Sequence, residues 1–117
     1  MASWKNVTNT FSEKRRHYMN TYLEICEVYD EAVEVSVFSS ESQPYEIYVS
    51  YGRMYGIIYS NAEDAYAKLE EIKKVLEKEY KENKEPTAEF IETFVEKFQL
   101  ELPQDIFFDA SAIFDLF

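Results

Sequence analysis

Residues 45–59 read Tyr45-Glu46-Ile47-Tyr48-Val49-Ser50-Tyr51-Gly52-Arg53-Met54-Tyr55-Gly56-Ile57-Ile58-Tyr59, and this stretch decides the fold class. Tyr45, Ile47, Val49 and Tyr51 alternate with Glu46, Tyr48 and Ser50, the period-two pattern of a half-buried strand. Gly52-Arg53 then separates this run from Met54–Tyr59, which suits a two-residue hairpin with glycine in the first turn position. If Tyr51 lies opposite Met54, Val49 faces Gly56 and Ile47 faces Ile58 on one side of the sheet. On the other side Ser50 meets Tyr55, Tyr48 meets Ile57, and Glu46 meets Tyr59. A slip of one residue would exchange the two faces, so the assignment depends on this turn.

Upstream, Val33, Val35 and Val37 alternate with Glu34, Ser36 and Phe38, and the polar run 39–44 closes on Pro44. Together these segments predict a three-stranded antiparallel meander. The valines share the core side with Ile47, Val49 and Ile58. The other side collects Glu34, Phe38, Glu46, Tyr48, Tyr55, Ile57 and Tyr59, aromatic and acidic together.

Helices are expected on both flanks. Thr10-Phe11-Ser12-Glu13 fits a capping box, and Phe11, Tyr18, Tyr22 and Ile25 follow at helical spacing, which predicts a helix over about residues 9–28. Its end overlaps Leu23, Ile25 and Val28, which can also start a strand. Ser60-Asn61-Ala62-Glu63 is a second capping-box match. It opens a long helix, about 61–83, with Ala62, Ala65, Tyr66, Leu69, Ile72, Leu76 and Tyr80 as its apolar stripe. Pro86-Thr87 starts a further helix with Phe90, Ile91, Phe94, Val95 and Phe98 inward and Glu89, Glu92 and Glu96 outward. After Pro103, Ile106, Ala110, Ile113 and Phe117 align as a short C-terminal helix. The expected fold is a single α+β domain over residues 1–117, order α-β-β-β-α-α, helices mainly on one face. Residues 1–8 read as a flexible basic arm.

Charge is unevenly distributed. The chain of 117 residues carries 23 acidic and 12 basic side chains, a formal charge of -11. Residues 1–22 hold a net +3, residues 23–60 a net -6, residues 61–85 a net -2 and residues 86–117 a net -6. Such a balance repels polyanions, and Lys14-Arg15-Arg16 is too short a basic run to carry nucleic-acid binding.

Chemistry finds little footing. His17 is the only histidine and Cys26 the only cysteine, which excludes an internal disulfide and a thiolate zinc site. Nine residues of helix between them would span roughly 13 Å, too far for a catalytic dyad. Two glycines leave no glycine-rich phosphate loop. Glu24, Glu27, Asp30 and Glu31 are dense but lack calcium-loop spacing. No apolar run reaches the roughly 18 residues of a membrane span, and Met1–Asn6 lacks the pattern of a secretion signal. The lone cysteine points to a reducing, cytoplasmic setting. No cofactor and no enzymatic activity are expected.

The residues therefore predict a protein-binding surface made of Glu34, Phe38, Glu46, Tyr48, Tyr55, Ile57 and Tyr59. Tyrosine offers contact area at low rotamer cost, and carboxylates steer a basic partner. The expected role is an inhibitor, immunity or antidefence-type protein that mimics nucleic acid and neutralises a basic, nucleic-acid-handling protein. The alternative is an assembly subunit that self-associates through the same aromatic face, and the chain is expected to be a monomer or a homodimer. If the N-terminal helix crosses to that face instead, its rings become core.

Overall fold

The computed structural model describes residues 3–9, 21–40 and 44–102. Its elements are β1 (Trp4–Asn6), β2 (Thr21–Tyr29), β3 (Val33–Ser40), β4 (Tyr45–Tyr51), β5 (Met54–Ser60), α1 (Ala65–Asn83) and α2 (Ala88–Phe98). The five strands form one antiparallel sheet in the order β1-β2-β3-β4-β5, so the class is α+β.

The β4–β5 hairpin has the register that its turn dictates. Tyr51 pairs with Met54, Val49 with Gly56 and Ile47 with Ile58. Gly52 has φ +57, a left-handed conformation that costs glycine no steric penalty. One face of the sheet then buries Val33, Val35, Val37, Ile47, Val49, Tyr51 and Ile58 against Leu69, Ile72 and Leu76 of α1 and Phe94 and Phe98 of α2. Both helices thus cover the same face.

Three expectations change. Residues 21–28, read as the end of an N-terminal helix, belong to strand β2; residues 10–20 lie outside the described residues. Leu23, Ile25, Val28 and Tyr29 fit a strand once β3 supplies a partner along its length, and pairing overrides local helical spacing. Residues 4–6, read as part of a flexible arm, form β1 on the outer edge of β2. Val7 N–H donates to the Cys26 carbonyl at 2.8 Å, and the Cys26 N–H donates to Thr8 Oγ1 at 3.0 Å. The sheet therefore has five strands where three were expected. The short C-terminal helix expected after Pro103 lies outside the described residues.

The helices keep close to their expected spans, but their caps differ. The Ser60 capping box does not form. Instead Asn61 Oδ1 accepts the Asp64 N–H at 2.8 Å, and α1 begins at Ala65. The apolar stripe is narrower than expected: Ala62 and Tyr66 are exposed. In α2, Thr87 is the N-cap, its hydroxyl accepting the Phe90 N–H at 3.1 Å. Buried Glu79 reaches across and accepts the Thr87 N–H at 3.1 Å, which ties the two helices together.

At the far edge the chain after α2 returns to the sheet. Ile57 and Glu101 exchange two backbone hydrogen bonds of 2.8 Å. Gly56 permits that approach, because a Cβ there would stand 2.6 Å from the Glu101 carbonyl oxygen. No helix among the described residues is long and apolar enough to cross a membrane.

Candidate functional site

The second face of the sheet carries the residues expected to bind a partner, but it is closed at its centre. Tyr48 is 8% exposed and Ile57 5%, beside Cys26 and Ser36, which are fully buried. Tyr48 packs edge-on against Tyr55 with ring centroids 5.2 Å apart. Glu34, Phe38, Glu46 and Tyr55 are half-buried, and only Tyr59, at 43%, stands open. The continuous open patch expected from alternation is therefore corrected to a rim. Alternation assigns a residue to a face; it does not say whether that face is covered.

The rim has company. The exposed tyrosines Tyr22, Tyr59 and Tyr66 come from the start of β2, the end of β5 and the first turn of α1. An antiparallel order brings all three to one end of the sheet. Glu46 pairs with Tyr59 there, and Glu24, Glu63 and Asp64 are exposed at the same end. Among the described residues, segments 21–24, 38–40, 45–47 and 58–67, which build this end, contain no lysine or arginine. Burial pushes the Glu46 carboxyl above the usual range. Tyr59 is also raised, by burial first and then by the charges of Glu46 and Glu101.

On the helix-covered side of this end, a β-bulge interrupts β2. Leu23 pairs with Phe38 and Ile25 with Val37, leaving Glu24 as the extra residue. A bulge re-aims the side chain it carries. Here Glu24 Oε1 accepts a hydrogen bond from Ser39 Oγ at 2.6 Å, so the carboxylate sits on the side of Ser39, Tyr22 and Tyr45. Tyr66 faces the same group: its phenol is raised by burial, then by the charge of Glu24, then by Tyr45.

Two helical turns further along α1, a lysine meets β2. Lys73 Nζ lies 2.8 Å from Glu27 Oε1 and 3.2 Å from Glu70 Oε2, and 5.3 Å from the centre of the Trp4 ring. Burial lowers the Lys73 pKa, but its hydrogen bonds to Glu27 and Glu70 outweigh that and raise it. This ammonium pins α1 to β1 and β2.

Neither end of the sheet offers an assembled catalytic set. Cys26 is buried, and His17 lies outside the described residues. No three potential metal ligands stand together among the described residues. At the opposite end the Tyr80 hydroxyl donates to Asp30 Oδ2, and Lys84 Nζ stands 4.8 Å from the Tyr80 ring centre. Tyr51 is 1% exposed with an unpartnered hydroxyl, its pKa pushed up to about 12 by burial and then by Glu79, Tyr80 and Glu85.

Sequence reasoning named Tyr59 and Glu46 but missed Glu24, Tyr22, Tyr45 and Tyr66. The signal was the run Tyr22-Leu23-Glu24-Ile25, whose strand reading places a carboxylate beside an aromatic. Compared with protein-family models, curated proteins and solved structures, the chain matches none of them.

Proposed function

We propose that this is a non-enzymatic acidic protein-binding domain that neutralises a basic, nucleic-acid-handling protein, in the manner of an inhibitor, immunity or antidefence protein. One observation carries the reading: three exposed tyrosines share an end of the sheet with Glu24, Glu46, Glu63 and Asp64, and the described segments that build this end hold no cation. Phenol rings supply desolvated contact area, and the carboxylates raise the encounter rate with a cationic surface by roughly ten- to a thousandfold at low salt. Acidic side chains on α2 add further negative charge to the surface. Glu89, Glu92 and Glu96 are exposed and make no ion pair among the described residues.

The test is affinity capture from native lysate at low salt, elution by salt, and competition with nucleic acid for the purified partner. A basic protein released by moderate salt, and displaced from nucleic acid by this chain, supports the reading. Retention of neutral or acidic proteins unaffected by salt overturns it.

A further inference from the structure

Two carboxylates of β2, Glu27 and Glu24, lie toward α1, and among the described residues only Glu27 has an internal cation. Glu27 is met by Lys73, with the Trp4 ring behind the ammonium. Tyr66 stands seven residues before Lys73, two helical turns away on the same stripe of α1. There the chain carries a phenol where Lys73 carries an ammonium. Glu24 is exposed and held by Ser39 alone among the described residues, and its charge, followed by half-buried Tyr45, acts on the Tyr66 phenol. Glu27 thus has an ammonium and, behind it, an aromatic ring, while Glu24 has, among the described residues, a serine hydroxyl and nearby phenols.

We propose that Glu24, with the Tyr66 and Tyr45 rings, is the seat for one lysine or arginine side chain of a basic partner, which completes the arrangement that Lys73 completes internally. The inference rests on the acidic-partner reading and gives that partner its anchor. Charge complementarity selects the occupant: an apolar side chain would leave the Glu24 carboxylate without a counter-charge, and an anion would face it directly. The Ser39 hydrogen bond fixes the carboxylate before binding, so less ordering is required when the cation arrives.

The test uses the intact chain and an end-capped hexalysine peptide, with its fully acetylated counterpart as a neutral control, at low ionic strength. Nuclear magnetic resonance follows backbone amides, and titration calorimetry gives Kd. Hexalysine is expected to shift the amides of Glu24, Ser39, Tyr45 and Tyr66. Glu24→Gln is expected to weaken binding about fivefold, the combined scale of one exposed ion pair and one cation–π contact. Tyr66→Lys supplies an internal ammonium to Glu24 and is expected to weaken binding at least as much while leaving thermal stability intact. Glu92→Gln removes the same charge from α2 and is expected to change Kd by less than about twofold. If hexalysine binds and Glu24→Gln weakens it no more than Glu92→Gln, the seat is wrong and the acidic-partner reading survives. If hexalysine binds no better than its acetylated counterpart, both fall.

Discussion

Substituting Gly56 by alanine tests how the chain after α2 is held to the sheet. Gly56 is not among the positive-φ residues, so alanine meets no backbone penalty there. Stiffening the unfolded chain would by itself stabilise the variant by about 0.4–1 kcal/mol. Packing opposes this. The added Cβ would stand 2.6 Å from the Glu101 carbonyl oxygen, 2.9 Å from Leu100 Cγ and 3.0 Å from Leu100 Cδ1. Glu101 is backbone and Leu100 is 8% exposed, so neither can swing freely aside. Overpacking of this kind costs about 1–3 kcal/mol. Loss of the two Ile57–Glu101 hydrogen bonds adds about 0.5–1.5 kcal/mol each. The packing terms win, and a net destabilisation of about 2–3 kcal/mol is expected. In urea, with m about 1.5 kcal/mol/M, the midpoint should fall by about 1.5 M, and Tm by roughly 10 °C. Amide exchange at Ile57 and Glu101 should accelerate more than at Val35, in the middle of the sheet. A Gly56→Ala variant within about 0.5 kcal/mol of the parent, or more stable, would refute the close approach.

Further expectations follow from other buried groups and from the acidic end. Tyr51→Phe removes a buried hydroxyl that has no partner, so stability at neutral pH should hold or rise slightly in urea titrations. With its pKa raised from 10.0 to about 12, folded Tyr51 keeps a proton that the unfolded chain releases, so stability should decline as pH rises through that window. Tyr51→Phe should flatten this decline, and an unchanged pH profile would count against the burial. Lys73→Met leaves Glu27 without its cation, and a loss of about 1–3 kcal/mol is expected by thermal denaturation. Tyr48→Ala should lower stability by about 3–5 kcal/mol, because the ring is core. Tyr59→Ala and Tyr66→Ala should leave Tm nearly unchanged yet weaken partner binding by more than about 1 kcal/mol in calorimetry.

Much of the architecture was written locally. Alternation in residues 33–38 and 45–59, with Gly52-Arg53 between the last two strands, determined β3, β4, β5 and their register, since period two and a two-residue turn leave little freedom. Leu69, Ile72, Leu76 and Phe94 declared the inward faces of α1 and α2 through 3.6-residue spacing. The net charge of -11, the single cysteine and the lack of glycine-rich loops were likewise properties of the chain itself.

Tertiary pairing decided the rest. Whether residues 21–29 became helix or strand depended on β3 offering a free edge, a pairing that reaches across 15 positions at the Glu24–Ser39 hydrogen bond. Once β2 joined the sheet, Glu24 came to the side of Ser39, where its charge acts on Tyr66, a residue 42 positions further along the chain. The closure of the second face over Tyr48 and Ile57 was equally invisible to a period-two pattern, which sorts side chains into faces and leaves the covering of each face to long-range packing.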